Sequence, residues 1–375
     1  MSFENSSVAL QYRSEFPVTA HSIYLNHAAV SPLSRRSAGA MQGLAEDVLA
    51  YGSLHYDQWL EAYEGLRVAA AKLIGAARNE IALVKNTSEG IATIASGLDW
   101  RPGDRVVGFR EEFPANLLPW RRLEDCGVTV EWLSVTDPLD RIDEACRGAR
   151  LLAISFVNYL SGFRVDLNAI GEICQRRGCF FFVDAIQGMG AFPLDVEAAQ
   201  IDALAADGHK WMLGPEGCGI LYVRQSRQDE IEPVEFGWTN VANYNDYSSS
   251  MLGLRPDAGR YEPGTLNTIG CFGLRAAIEF LLEVGVERIA PQVQGLADRI
   301  AAGVQAKGYE VLGQRTQANG SGIVSFRKPD VVSRMVLRRM SEAGIQAALR
   351  QGWVRTSPHF YLTEGDIDRV LEELG

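Results

Sequence analysis

The sequence predicts an α/β fold: a large domain with a mostly parallel, mixed sheet flanked by helices, and a smaller α+β domain at the C-terminal end. Between residues 80 and 225, short apolar segments rich in β-branched and aromatic residues alternate with helical patterns. Apolar strands interleaved with helices are typical of a mainly parallel sheet that is covered on both faces. Seven strands are predicted in this region: Ile81–Val84, Arg105–Phe109, Thr129–Leu133, Leu151–Phe156, Cys179–Asp184, Ala203–Ala206 and Gly219–Val223.

The segments on either side of this region have different patterns. Apolar positions at helical spacing predict two helices between Arg35 and Ala77, whereas residues 226–268 are rich in Gly, Pro, Asn, Tyr and Ser and predict loops. Further elements are predicted toward the C-terminus: a long helix after Cys271, a helix at Pro291–Lys307, strands at Gly322–Phe326 and Val354–Ser357, and helices at Val331–Ala343 and Glu364–Leu374. We therefore expect a large domain over residues 20–265 and a small domain made of residues 1–19 and 266–375.

Composition narrows the class of protein. The chain has 375 residues, of which 47% are apolar, and a net charge of −11, which disfavours nucleic acid or an anionic membrane as the main partner. No apolar segment approaches the roughly 20 residues of a membrane-spanning helix, and the N-terminus does not resemble a secretory signal. The six cysteines form no CxxC pair and no cluster with zinc-ligand spacing. A soluble, reduced, cytoplasmic protein without a metal is expected.

The segment 180–223 carries the clearest chemical signal. One buried strand ends in Asp184, with Gln187 three residues later, and the next strand runs into Asp207, His209 and Lys210. Because ligands of open α/β sheets bind outside the carboxyl ends of strands, Asp184 and Lys210 are expected to face one pocket. A lysine that can form a Schiff base and a carboxylate for a ring nitrogen suit pyridoxal 5'-phosphate. Taken alone, Lys210 could equally be a solvated surface residue.

Four other segments offer ligand-binding groups, each with an ordinary structural alternative. Thr87 and Ser88 begin a helix after a strand and could bind a phosphate, or could simply cap that helix. Phe113 could stack on a flat ring or anchor the core. Asn158 could bond a ring substituent or cap its own loop. Arg355, in an apolar strand, could bind a substrate carboxylate or form a structural ion pair.

Several common catalytic motifs are missing from the sequence. It contains no GxxxxGK[ST], no HExxH and no GxSxG, which disfavours P-loop enzymes, zincins and hydrolases with a nucleophile elbow. The glycines at 214–219 do not follow the order strand, GxGxxG, helix, so a dinucleotide fold is also disfavoured.

From Tyr24-Leu25-Asn26-His27-Ala28-Ala29 to the C-terminal helix, the chain resembles the class V aminotransferases of the fold-type I pyridoxal phosphate enzymes. This group includes cysteine desulfurases, isopenicillin N epimerases and kynureninases. The resemblance implies that Lys210 is the cofactor-binding lysine, that Asp184 pairs with the pyridine nitrogen, and that Arg355 receives the substrate α-carboxylate. It also implies contacts to the cofactor from Gln187 and Asn158 near the ring oxygen, from Phe113 over the ring, and from Thr87, Ser88 and His209 at the phosphate. The segment Tyr261–Thr265 resembles a loop that crosses a dimer interface, with Thr265 on the partner's phosphate, so a homodimer with shared active sites is expected.

Three positions depart from the cysteine desulfurase pattern. Phe113 stands where desulfurases have a histidine over the ring, and Asp207 stands where they have a serine on the phosphate. The segment 344–352, ahead of the arginine strand, has neither the nucleophilic cysteine nor room for its loop. Persulfide chemistry needs a thiolate nucleophile, so it loses its central group here.

The resemblance implies an enzyme that acts on an amino-acid substrate through an external aldimine, with Lys210 moving the α-proton. An aminotransferase-like activity is expected first, and cysteine or selenocysteine lyase-type β-elimination or epimerisation stay open as alternatives. A pyridoxal phosphate-binding dimer without catalysis, or a flavodoxin-like or dehydrogenase α/β protein, would be the contrasting interpretations.

Overall fold

The structure is a computed structural model that describes residues 5–248 and 253–374. Its helices are α1 Asn5–Tyr12, α2 Arg35–Tyr51, α3 Tyr56–Ile74, α4 Thr87–Gly97, α5 Leu118–Arg122, α6 Leu139–Ala145, α7 Leu167–Arg177, α8 Thr268–Val284, α9 Val286–Ala306, α10 Ser333–Glu342 and α11 Glu364–Glu373. Its strands are β1 Ile23–Tyr24, β2 Ile81–Val84, β3 Arg105–Phe109, β4 Thr129–Leu133, β5 Leu151–Ser155, β6 Phe180–Asp184, β7 Ala203–Asp207, β8 Gly219–Val223, β9 Glu310–Val311, β10 Val324–Arg327, β11 Ile345–Gln346, β12 Ala348–Arg350 and β13 Trp353–Thr356.

The seven predicted strands form one seven-stranded sheet in the order β2-β8-β7-β6-β5-β3-β4. Only β8 runs against its neighbours, β2 and β7, so the sheet is mixed and mostly parallel as predicted. Every residue of the five strands β2, β5, β6, β7 and β8 is buried. Burial on both faces explains why these strands are apolar throughout instead of alternating.

The register brings the carboxyl ends of the central strands to one edge of this sheet. Ser155, the last residue of β5, is level with Asp184 at the end of β6, and Asp184 is level with Ala205 in β7. Helix α4 packs closely over this edge, because a Cβ atom on its Gly90 would lie 2.7 Å from the Ala205 Cβ. The glycine therefore lets the start of α4 reach the strand ends.

The C-terminal part forms a second, antiparallel sheet in the order β12-β13-β10-β9, as the predicted α+β region requires. A separate two-stranded parallel sheet joins β1 to β11. The strands β1, β9, β11 and β12 were not predicted, because two or three residues are too few to give a period-2 pattern. The division of the chain into domains at residues 19/20 and 265/266 stays a prediction.

Two further observations differ from or add to the expectations. Helix α9 begins five residues before the predicted start and carries Pro291 in its second turn. The Sγ atoms of Cys146, Cys174 and Cys179, which are all buried, lie within 4.8 Å of one another, so the fold gathers a thiol cluster that their spacing did not predict.

None of the described helices combines the length and apolarity that crossing a membrane requires.

Candidate active site

A cavity of ≈ 330 Å³ lies at the carboxyl ends of β5, β6 and β7. Eight of the ten predicted site residues line it: Thr87, Ser88, Phe113, Asp184, Gln187, His209, Lys210 and Arg355. The N-terminal segment closes one side with Ala28, Ala29 and Val30. A larger groove of ≈ 890 Å³ elsewhere on the surface contains none of the ten.

Asp184, which is buried, and Lys210, which is half-buried, both line this cavity and interact through their charges. Burial raises the pKa of Asp184 to about 6, although the Ile186 N–H at 3.1 Å and the charge of Lys210 oppose the change. Burial also lowers the pKa of Lys210 to about 8, against the opposing effect of Asp184. With a pKa of about 8, about a tenth of Lys210 is an uncharged amine at pH 7, far more than for an ordinary lysine, and the uncharged form is the one that acts as a nucleophile or a base.

A second buried carboxyl group, Glu112, lies behind Asp184. It accepts hydrogen bonds from the backbone N–H of Ser155, at 2.6 Å, and from the Ser155 hydroxyl. Burial raises the pKa of Glu112 to about 7, and the charge of Asp184 adds to the rise while the Ser155 hydrogen bonds oppose it. Sequence reasoning did not single out Glu112, although a carboxylate directly before Phe113 at a strand end was a usable signal.

The start of helix α4 presents free backbone N–H groups to the cavity. Asn86, and neither Thr87 nor Ser88, caps the helix by accepting a hydrogen bond from the Glu89 N–H at 2.9 Å. The Thr87 hydroxyl instead accepts a hydrogen bond from the Asp207 N–H at 2.9 Å, and Ser88 is exposed at the cavity. The first helical N–H groups lack partners within the helix and favour an anion.

Asp207 and His209 complete this end of the cavity. His209 Nδ1 lies 3.0 Å from Asp207 Oδ2, but without the alignment of a hydrogen bond. Within the described residues, His209 Nδ1 and Asp207 Oδ1 are both buried and have no hydrogen-bond partner. Buried polar atoms without partners at a cavity suit hydrogen bonds to a ligand. Asp207 lies against the histidine, and the N–H groups at the start of α4 give this end of the cavity a positive surface.

Phe113 forms a wall of the cavity beside the lysine. Its side chain is 47% exposed, so it does not anchor the core. The Lys210 Nζ lies 5.8 Å from the centroid of the Phe113 ring. The Tyr159 ring packs edge-on against Phe113, at 5.3 Å between centroids, and extends the aromatic wall. Tyr159 lines the cavity as well and was not predicted.

Arg355 reaches the cavity from β13 and is only 2% exposed. Its Nη1 donates to the Tyr159 carbonyl at 2.7 Å, its Nε has no partner, and no carboxylate of the described residues forms an ion pair with it. The alternative of a structural ion pair therefore does not apply. Burial lowers the pKa of Arg355 to about 10, and the nearby charge of Arg350 acts in the same direction. The guanidinium stays charged at neutral pH.

The remaining predicted residues are placed differently. Gln187 lines the cavity, but its Nε2 donates to the Ala28 carbonyl at 3.0 Å and its Oε1 accepts from Trp211 Nε1 at 2.9 Å. Asn158 is not among the lining residues; its Oδ1 accepts from the Ser161 N–H at 2.9 Å, which is the loop-capping role. Thr265 also lies outside the cavity and is exposed.

The chain is similar to proteins described as cysteine desulfurases. A protein of Methanothermobacter thermautotrophicus named "Probable cysteine desulfurase" is 33% identical, and one of Pyrococcus abyssi with the same name is 31% identical; in both cases 96% of each chain is covered. The solved apo structure of the cysteine desulfurase from Thermococcus onnurineus superimposes with a TM-score of 0.89 at 27% identity, over 97% of this chain and 96% of that one.

The family itself is identified over nearly the whole chain. The sequence profile described as "Aminotransferase class-V" matches residues 23–370, which include every predicted site residue. The mixed seven-stranded sheet and the small C-terminal sheet agree with the solved structure that superimposes on it. The chain therefore belongs to the class-V aminotransferase family.

Proposed function

We propose that this protein is a pyridoxal 5'-phosphate-dependent enzyme that acts on an α-amino acid. The observation that carries the proposal is that half-buried Lys210 and buried Asp184 line one cavity, together with the buried Arg355, which has no ion-pair partner among the described residues. When bound, the cofactor supplies an electron sink for a bond broken at the substrate Cα. The two sequence relatives named probable cysteine desulfurase support this class of enzyme.

The residues of the cavity divide the binding of cofactor and substrate among them. Lys210 provides the amine that anchors the cofactor, and Asp184 provides the carboxylate for its ring nitrogen. The N–H groups at the start of α4, with Thr87, Ser88 and His209, hold the phosphate. Phe113 covers one face of the ring, and Gln187 lies near its edge.

On the substrate side, Arg355 binds the α-carboxylate and thereby fixes the direction of the Cα–H bond. Lys210, whose pKa of about 8 lies close to neutral pH, then removes the α-proton. The position to which Lys210 returns this proton decides the product. Return on the cofactor side gives transamination, which we propose first.

Elimination of a β-substituent is the second candidate, because two curated relatives, at 31% and 33% identity, are named probable cysteine desulfurases. Elimination can proceed from the same α-proton abstraction by Lys210 without a second nucleophile. Transfer of sulfur to the protein is not proposed, since no cysteine of the described residues lines the cavity.

We propose that the enzyme is a homodimer with active sites shared between the subunits. Thr265 is exposed outside its own subunit's cavity, which is consistent with a contact to the partner's cofactor. Large apolar side chains lie exposed around the α2–α3 turn, among them Leu49 at 88% and Leu54 at 73%, and a second copy would cover such a surface. Light scattering on the purified protein tests the dimer, and a monomeric mass would contradict it.

We also propose a cytoplasmic location, because unpaired cysteines fit a reducing compartment.

The proposed function is tested by the absorption of the purified protein. The wild type is expected to be yellow, to lose its visible band on borohydride reduction, and to change its spectrum when its amino-acid substrate is added. Lys210→Ala should abolish the reducible band, whereas Lys72→Ala, an exposed lysine of α3, should not. A band that survives in Lys210→Ala would refute the assignment. Identification of a keto acid or of an elimination product then separates the two candidate reactions.

A further inference from the structure

We propose that the substrate carries a second anionic group on its side chain and that Arg350 binds this group. This inference rests on the proposed function, in which Arg355 takes the α-carboxylate. Arg350 lines the same cavity as Arg355 and Lys210, on the side formed by the small sheet.

The register of the small sheet places the two arginines together. Arg355 of β13 is directly opposite Ala348 of β12, and Arg350 is two residues farther along β12. Residues two apart on a strand share a face, so Arg350 and Arg355 lie on one face as diagonal neighbours, about 7–8 Å apart.

Neither guanidinium is neutralised by the protein. The Nη1 of Arg350 donates to the carbonyl of its neighbour Leu349 at 2.9 Å, and no carboxylate in the described part of the chain forms an ion pair with it. Arg327, on β10 and level with the same face, differs in this respect, because its Nε is 2.8 Å from the carboxylate of Glu310. Arg355 is buried without a counter-charge, whereas Arg350 is exposed at the cavity, where its solvated guanidinium is accessible to a ligand.

The charges lining the cavity indicate how many anionic groups it can take. Lys210, Arg350 and Arg355 face the carboxylates of Asp184 and Asp207. Asp184 is assigned to the cofactor ring and Asp207 lies against His209, so neither is available to the arginines. An amino acid with a neutral side chain would supply one carboxylate for two guanidiniums.

Tyr159 contacts Arg355 and the residue that follows Arg350. Its carbonyl accepts from Arg355 Nη1, and its hydroxyl accepts from Gln351 Nε2 at 2.7 Å, next to Arg350 in sequence. A short acidic side chain, such as a carboxylate or the similarly shaped sulfinate, would have its anionic group within reach of Arg350 while its α-carboxylate is on Arg355. The thiol of cysteine offers no such partner to a guanidinium, which prefers a forked pair of oxygens.

The experiment compares acidic amino acids with neutral amino acids of similar size on the holoenzyme. L-aspartate and L-cysteine sulfinate are expected to shift the cofactor absorption at lower concentrations than L-asparagine, L-alanine and L-cysteine. Arg350→Gln should lower the acidic-to-neutral ratio of kcat/KM about 10- to 100-fold, the equivalent of one charged hydrogen-bonded pair. Arg350→Lys should restore part of that ratio, since it keeps the charge. Arg338→Gln, an exposed arginine of α10, is the matched control and should leave the ratio unchanged.

Two outcomes are separable. If no amino acid shifts the spectrum, or the band is absent, the proposed function itself fails. If neutral amino acids bind as well as acidic ones, or Arg350→Gln leaves the ratio unaltered, the proposed function stands and the second anion site is refuted.

Discussion

Arg355 is a buried cation whose only protein partner in the described structure is the Tyr159 carbonyl. Removing a charge from water costs several kcal/mol unless it is paired and hydrogen-bonded. The carboxylate of an α-amino acid would supply both the charge and the missing acceptor for Nε. At the residue scale, this guanidinium is therefore the most direct indication that the cavity binds a carboxylate.

Replacing this arginine separates substrate binding from cofactor binding. Arg355→Ala is expected to raise KM for the amino-acid substrate at least about 100-fold, because a charged, bidentate contact is lost. The absorption band of the bound cofactor should persist, since Arg355 does not contact the lysine anchor. Steady-state kinetics and a spectrum of the same sample check both statements. An unchanged KM would remove Arg355 from the substrate site.

Glu112 predicts a pH dependence of stability. Its carboxyl has a pKa of about 7 when folded and an ordinary value near 4.5 when unfolded, so the folded state holds the proton more tightly. Stability contributed by this group is complete below pH 4.5 and decreases as the pH rises to 7, by about 3 kcal/mol in total. Glu112→Gln, which keeps acceptor and donor groups for Ser155, should flatten that decrease in urea unfolding between pH 5 and 8. Glu111→Gln, a change at the exposed neighbouring residue, should leave the decrease as it is in the wild type. If stability falls equally steeply with pH in the wild type and in both variants, the result would contradict the role assigned to Glu112.

At the scale of elements, the contact of α4 with β7 aims a helix end at the cavity. Gly90→Ala would place a methyl group 2.7 Å from the Ala205 Cβ, and backbone has to move to relieve it. We expect a loss of about 1–3 kcal/mol in stability and faster loss of cofactor on dialysis, since the N–H groups at the phosphate shift with the helix.

The matched control for this substitution is Gly43→Ala in α2, where an added methyl group meets nothing within 4 Å. It should keep cofactor retention unchanged and raise stability by up to about 1 kcal/mol, because alanine favours a helix. If Gly90→Ala behaves like Gly43→Ala in thermal unfolding and dialysis, the close packing of α4 does not position the phosphate site.

Strands that are buried on both faces could be predicted from sequence to within about a residue, as Leu151–Ser155 and Phe180–Asp184 illustrate. Their continuous apolar composition is a local signal. The two-residue strand Ile23–Tyr24 could not be predicted from the sequence, because its pairing with Ile345–Gln346 depends on the tertiary fold alone.

The same distinction applies to the site. Asp184 and Lys210 end buried strands or follow them, so their convergence on one cavity could be predicted from the strand pattern. Arg350 could not be predicted, since its orientation depends on the register of the three-residue strand β12 against β13. For Asn158 the sequence left two roles open, and the structure shows the loop-capping one, because its Oδ1 accepts from the Ser161 N–H.

At the scale of the whole molecule, the positions of the cysteines bear on sulfur chemistry. Five of the six are buried, and the exposed one, Cys126, is not among the residues that line the cavity. Incubation with L-cysteine is therefore expected to leave no persulfide on the protein, even if sulfide is released by elimination. Mass spectrometry of the intact protein after incubation checks this. A sulfur adduct on any of the six cysteines would contradict it, and the thiol cluster around Cys146 would be the first place to map.

The pairing of β1 with β11 joins two segments that lie near opposite ends of the polypeptide, and Asn26 forms a further bridge to Ser357. Ala28 and Ala29 at the cavity follow directly from that bridge. During synthesis, the amino-terminal wall of the cavity therefore stays unpaired until Ser357 has left the ribosome. A nascent chain arrested before residue 345 contains all seven strands of the large sheet but lacks the partners of β1 and Asn26, so we expect it to leave this wall of the cavity open.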